Sequence, residues 1–194
     1  MFVSFEMKKK VVIAGGTGFI GKYFAEQFRM LNFDVVIISQ KPQSILWSDN
    51  EAIIEALENA TILINLAGKS VDCRYNKKNK SEILMSRVKT TRTLGEAILK
   101  CNNPPELWIN SSTATIYRHA EDRPMTEKDG EIGTGFSVNV ATNWEQAFFS
   151  FQLNKTRQVA LRMAIVLGKS GGVIKPLLNL VKLRLGGNLS LIHI

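Results

Sequence analysis

Apolar residues along this chain fall into short continuous runs separated by longer amphipathic stretches. The first run, Val11-Val12-Ile13-Ala14, predicts a strand over Lys10–Ala14, and residues 19–31 then read as an amphipathic helix. A second run, Val35-Val36-Ile37-Ile38, predicts a strand over Asp34–Ser39. Residues 44–47 read as a short third strand. Asp49 is placed to cap a helix reaching residue 59, with Ile53, Ile54 and Leu57 on its apolar face. A fourth strand is expected over 61–66, then a long helix from Ser81 to residue 100. Pro104-Pro105 precedes a fifth strand over 107–110, and a polar loop follows over 117–135. A helix over 136–153, a sixth strand over 158–167 and a last helix over 173–185 complete the pattern. Short buried runs alternating with helices predict a parallel, doubly wound α/β sheet of the Rossmann type, with helices on both faces.

Composition fits one domain over 1–194: the chain has 194 residues and is 45% hydrophobic, enough for a core. Residues 1–8, ahead of the first strand and including Met7-Lys8, read as an extension. No run approaches the ~18 apolar residues of a membrane span, and the start lacks the apolar stretch of a secretory signal. Cys73 and Cys101 have no metal-ligand spacing and no histidine cluster beside them. The expectation is therefore a cytoplasmic chain with reduced thiols, no metal site and no membrane partner.

Net charge is +8, and much of it lies between Lys69 and Arg92. Two readings stay open there: a solvated loop and helix face, or attraction of a phosphorylated cofactor or nucleotide-linked substrate. No nucleic-acid motif accompanies the charge, and nucleic acid is not an expected partner.

The chemistry concentrates where strands end. Gly15, Gly18 and Gly21 recur at three-residue spacing between the first strand and first helix. A dinucleotide pyrophosphate needs that order: a tight turn at Gly15, no side chain in the way at Gly18, and close helix packing at Gly21. The helix N-terminus, with Thr17, Phe19 and Ile20, offers backbone N–H groups to the anion. After the second strand an NAD site usually presents an acid to the ribose. This chain has Ser39-Gln40-Lys41 instead, which favours a 2′-phosphate and hence NADP over NAD. Leu66-Ala67-Gly68 ends the fourth strand with room for a cofactor. Ser111, Ser112 and Thr113 follow the fifth, where hydroxyls either bond a reacting oxygen or cap the loop.

Gly-Gly-Thr-Gly-Phe-Ile-Gly, Leu-Ala-Gly and Ser-Ser-Thr-Ala-Thr-Ile-Tyr together resemble the extended short-chain dehydrogenase/reductase superfamily. Ser86-Arg87-Val88, Asn143-Trp144-Glu145, Gly171-Gly172, Leu185-Gly186-Gly187 and Ile192-His193-Ile194 resemble an atypical branch of it, labelled epimerase-family proteins or nucleoside-diphosphate-sugar epimerases. The resemblance implies an NADP-binding domain and hydride transfer on a nucleotide-sugar-like or carbonyl substrate. It adds Arg87, Ser111 and Ser112 to the cofactor contacts and places Thr113 at the catalytic Ser/Thr position.

The superfamily's Tyr-x-x-x-Lys pair is absent: the window over 133–141 has no tyrosine, and no lysine lies between Lys128 and Lys155. Substitutes are Tyr117, His119, Glu121 and Glu145. Tyr117 also reads as loop packing, and Glu145 either as a buried acid of raised pKa or as half of a salt bridge. Extended members carry a C-terminal substrate domain, so residues 168–194 read as the start of a truncated substrate-binding region. Two functions follow: an NADP(H)-dependent epimerase or reductase, or a non-catalytic NADP-binding sensor or regulatory protein. The helices over 81–100 and 136–153 are candidate homodimer surfaces, with Phe148, Phe149 and Phe151 serving either an interface or the core.

Overall fold

The computed structural model describes residues 8–168, 171–172 and 174–184. The expectations for 1–7 and for 185–194 lie outside the described residues. Six parallel strands form one sheet in the order β3-β2-β1-β4-β5-β6. They are β1 Lys10–Ala14, β2 Asp34–Ser39, β3 Ile45–Leu46, β4 Ile62–Asn65, β5 Leu107–Thr113 and β6 Arg157–Met163. The helices are α1 Phe19–Met30, α2 Asn50–Leu57, α3 Lys77–Ile98, α4 Phe136–Phe149 and α5 Ile174–Lys182. β1 is central: Val12 lies opposite Val36 of β2 and Leu63 of β4. The order of strands reverses at β1, which makes its C-terminal end the switch point where open α/β sheets bind ligands.

Alternation along β1 sorts the two faces. Val11 and Ile13 pack with Ala25, Phe24 and Phe28 of α1, whereas Val12 and Ala14 join a larger core with residues of α2, α3 and α4. Trp108 and Phe148, both fully buried, meet edge-on at 4.6 Å at the centre of that larger core. Of the three phenylalanines that could serve an interface, Phe148 lies in the core, Phe151 packs against it, and Phe149 is exposed.

Several boundaries differ from expectation for local reasons. α3 begins at Lys77 because the Asn76 side chain accepts the Asn79 N–H at 2.8 Å, so Ser81 lies inside the helix. α4 ends at Phe149, and the chain then turns to bring Phe151 beside Trp108 at 6.2 Å. β5 runs on to Thr113 because Ser112 and Thr113 pair with Arg162 and Met163 of β6. β6 stops at Met163, and Leu167 instead opens an antiparallel hairpin, β7 Leu167–Gly168 with β8 Gly171–Gly172. Among the described residues, no helix is long and apolar enough to cross a membrane.

Candidate functional site

The turn after β1 is built by backbone constraints. Gly15 sits at φ +80°, and a Cβ there would lie 2.8 Å from the Leu66 carbonyl carbon. A Cβ on Gly21 would lie 2.5 Å from the Gly15 oxygen and 2.6 Å from the Gly16 Cα. α1 can therefore start this close to the strand only with glycine at both places. Gly18 is the N-cap of α1 and offers no side-chain acceptor, and no acidic residue stands in the first turn. By contrast, Asp49 and Asn76 cap α2 and α3 with side-chain oxygens. The first N–H groups of α1, from Phe19 and Ile20 onward, precede the first intrahelical bond, Lys22 N–H to Gly18 O. They form a donor cluster at the positive end of the helix dipole, with no protein side chain to answer it.

At the end of β2, Ser39 is buried and its hydroxyl is committed to the turn. It bonds Ser44 Oγ at 2.6 Å and accepts the Lys41 N–H at 2.9 Å. Gln40 and Lys41 are exposed. Ser39 thus shapes the turn, and Gln40 and Lys41 stand exposed on it, Lys41 carrying the charge.

The ends of β4 and β5 carry a buried polar network that the sequence did not reveal. Asn65 donates to Asn110 Oδ1 at 2.7 Å and to Thr91 Oγ1 at 3.1 Å. The Trp144 indole N–H donates to the same Thr91 hydroxyl at 2.9 Å, while Asn65 Oδ1 accepts the Ala67 N–H at 3.1 Å. Two strands, α3, α4 and the Leu66-Ala67-Gly68 segment are locked to one another. The available sequence signal was an asparagine directly after an apolar run in each strand, Ile62-Leu63-Ile64-Asn65 and Leu107-Trp108-Ile109-Asn110. Thr113 accepts the Thr115 N–H at 3.2 Å and shares a hydroxyl contact with Thr115 at 2.9 Å, so it caps the single 3-10 turn Ala114–Ile116. Ser111 is buried in β5.

Glu145 is half of a salt bridge. Arg162 Nε donates to Oε1 at 2.9 Å and Nη2 to Oε2 at 2.7 Å, and Ser112 Oγ donates to Oε1 at 2.5 Å. Burial pushes the carboxyl upward, but the bonds from Arg162 and Ser112 outweigh it, and its pKa lies below the ordinary value. The raised-pKa acid is thereby corrected. Arg162 Nη1 also donates to the Tyr117 hydroxyl at 2.6 Å, and its guanidinium lies 5.0 Å from that ring. Tyr117 bridges to Ile132 across the polar loop, which fits its packing role. His119 and Glu121 are exposed and face each other. α4 carries neither tyrosine nor lysine.

The basic stretch is partly neutralised. Lys69 pairs with Glu82, and the Lys80 ammonium sits 5.2 Å from the Phe136 ring centroid. Arg87 is half-buried at the junction of α3, α4 and the segment leaving β4. Its Nη1 donates to Lys69 O at 3.1 Å and Ile83 O at 3.0 Å, and its guanidinium stacks 5.2 Å from the Trp144 ring centroid. Among the described residues, no group of three or more His, Cys, Asp or Glu is arranged to hold a metal ion.

Comparison with known proteins agrees with this geometry. The family model "NAD dependent epimerase/dehydratase family" matches residues 11–139. The epimerase family protein SDR39U1 of Bos taurus is 33% identical over 183 residues, covering 92% of this chain and 61% of the relative. The crystal structure of human SDR39U1 (isoform 2) with NADPH superposes with TM-score 0.81 at 30% identity, over 92% of this chain and 61% of that one. A nucleoside-diphosphate sugar epimerase from Corynebacterium glutamicum shares the fold, with TM-score 0.77 at 24% identity, over 94% of this chain and 39% of that one. The chain thus spans 61% of the length of the SDR39U1 relatives it matches. With a glycine turn and bare helix N-terminus at the switch point of a parallel sheet, this chain belongs to the NAD-dependent epimerase/dehydratase family.

Proposed function

We propose that this chain is the cofactor-binding part of an NADP(H)-dependent epimerase or reductase. The observation that carries the reading is the N-terminus of α1, which opens at the switch point after β1; α2 and α3 carry side-chain caps, and α4, which like α1 starts after a glycine without one, follows the polar loop instead. Gly21 lets α1 start close against the turn, since a Cβ there would meet the Gly15 oxygen and the Gly16 Cα. Gly15, Thr17, Gly18, Phe19, Ile20 and Gly21 would hold the pyrophosphate. Lys41, with Gln40 on a turn shaped by Ser39, would meet the 2′-phosphate. Leu66, Ala67 and Gly68, with Ser111 and Ser112, would line the site beyond β4 and β5. The NADPH bound by the human relative supports the same preference.

The cofactor, when bound, supplies a hydride donor or acceptor. The chain's own residues orient the substrate, which we take to be nucleotide-sugar-like or another carbonyl compound. Thr113 would place the reacting oxygen. The Ser112–Glu145–Arg162–Tyr117 network would keep β5, α4 and β6 rigid beneath it. One observation favours a second reading, a non-catalytic NADP-binding sensor: α4 has no tyrosine or lysine, and the Thr113 hydroxyl already caps a turn.

Melting temperature measured with NADPH, NADP, NADH and NAD side by side tests the cofactor reading. A rise confined to NADPH and NADP is expected. Equal rises with all four would sink the NADP preference, and no rise with any would sink the cofactor site.

A further inference from the structure

Two arginines of this chain stand in partly buried sites near the ends of β4, β5 and β6, and they are treated differently. Arg162 uses the Nε–Nη2 edge of its guanidinium on both oxygens of Glu145, at 2.9 and 2.7 Å. This is the side-on geometry in which two parallel N–H groups meet the two oxygens of one anion. Arg87 has the same edge, and among the described residues nothing bonds to it. All its hydrogen bonds run through Nη1, and no carboxylate among the described residues lies within ion-pair distance. Its Nε and Nη2 are not among the sealed polar atoms lacking a partner, so both keep some access to solvent.

The surroundings hold that edge in place. Ser86 Oγ accepts the Lys69 N–H at 2.9 Å, and Arg87 donates to the Lys69 carbonyl, so consecutive residues of α3 grip both backbone groups of one residue. Gly68 lies alongside, and a Cβ there would come within 3.1 Å of the guanidinium carbon. The Trp144 ring beneath is itself fixed by its bond to Thr91. Burial pulls the Arg87 pKa below the usual arginine value, with Tyr75 opposing, and among the described residues no carboxylate pairs with it. Structural stacking accounts for one face and one nitrogen of this side chain and leaves its paired donors unexplained.

We infer that the Nε–Nη2 edge of Arg87 receives an oxyanion offering two oxygens side by side, a carboxylate or a phosphate group carried by the substrate. This rests on the cofactor reading above. The groups suited to the cofactor's own phosphates, the α1 N-terminus and Lys41, follow β1 and β2. Arg87 stands on the other side of β1, beside the segment leaving β4, and is left for a second ligand. Resemblance grouped Arg87 with the cofactor contacts, and it does stand beside Gly68; its open edge is what argues for a second ligand.

The test follows the Arg87 Nε–H NMR resonance, identified by its loss in Arg87→Lys, and the Gly68 and Lys69 backbone amides. The protein is titrated with sodium acetate or inorganic phosphate against chloride at matched ionic strength, with and without saturating NADPH. Saturable shifts with acetate or phosphate that persist with NADPH present are expected, and the more effective probe identifies the anion class. Affinity should fall at least tenfold in Arg87→Lys, which keeps the charge but loses the parallel donors, and in Arg87→Gln. The proposal is overturned if neither anion gives a saturable shift, if both variants titrate like the parent, or if NADPH alone moves the Arg87 resonance and abolishes the anion response. Failure of NADPH to raise the melting temperature overturns the cofactor reading separately, and the anion titration is then read on the free protein.

Discussion

Replacing Glu145 by glutamine tests the buried ion pair directly, because shape is kept and charge removed. The Glu145 and Arg162 side chains are 11% and 23% exposed. Breaking a fully buried pair costs about 3–5 kcal/mol, and an exposed pair is worth about 1 kcal/mol or less. Arg162 retains some water, and the glutamine oxygen can still accept one of its N–H groups. The expected loss is therefore about 2–3 kcal/mol. For a chain of this size, about 1 kcal/mol shifts Tm by about 2–4 °C, so Glu145→Gln should melt roughly 5–10 °C lower. The pH dependence gives the sign. Glu145 has a folded pKa below its ordinary 4.5, so its contribution is complete above that value and is lost as pH falls through the folded value. The Tm gap between parent and variant should stay constant from pH 7 to 5 and close only in stronger acid. Differential scanning calorimetry across that range is the assay. A gap under about 2 °C at pH 7, or one that closes already between pH 7 and 5, would refute the assignment of Glu145 as the ionised partner of Arg162.

Lys41→Glu should reduce the preference for NADPH over NADH by about tenfold, since a charge contact with phosphate is worth about 1.4 kcal/mol; fluorescence titration of both cofactors checks it, and an unchanged ratio removes Lys41 from the site. Phe148→Ala should cost about 3–5 kcal/mol from the core it shares with Trp108, read as a fall in the urea midpoint at constant slope. Asn76→Ala should cost about 1 kcal/mol and speed amide exchange in the first turn of α3 alone, while an α3 start unmoved in backbone shifts would mean that the cap does not set it. Burial, with Glu58 adding to it, pushes the Cys101 thiol up to about 11. It should therefore be roughly one part in a thousand thiolate at pH 8 and resist maleimide in the native protein, as mass spectrometry would reveal.

What the sequence made legible was local. A β-branched run meeting a glycine turn and an amphipathic stretch defines β1, the turn and α1, because each choice depends on near neighbours. The start of α3 was missed by four residues: Asn76 and Ser81 are both good caps, and only the structure decides which side chain reaches an N–H. Ser111, Ser112 and Thr113 looked like loop because polar residues at a strand end usually are. They continue β5 because β6, more than forty residues later, pairs with them. The candidate site was legible in its backbone and not in its side chains. Trp-Glu and Ser-Arg stood out as neighbours in sequence, but what each faces depends on how α3 and α4 are set against the sheet. The excess of 25 basic over 17 acidic residues gave a sign without a location. Folding converts that excess into a location, since it brings Glu145 to Arg162 and, among the described residues, brings no acid to Arg87. The proposal for Arg87 therefore rests on a positive charge half inside the protein and set over a tryptophan, a placement that only the three-dimensional arrangement distinguishes from that of a solvated surface arginine.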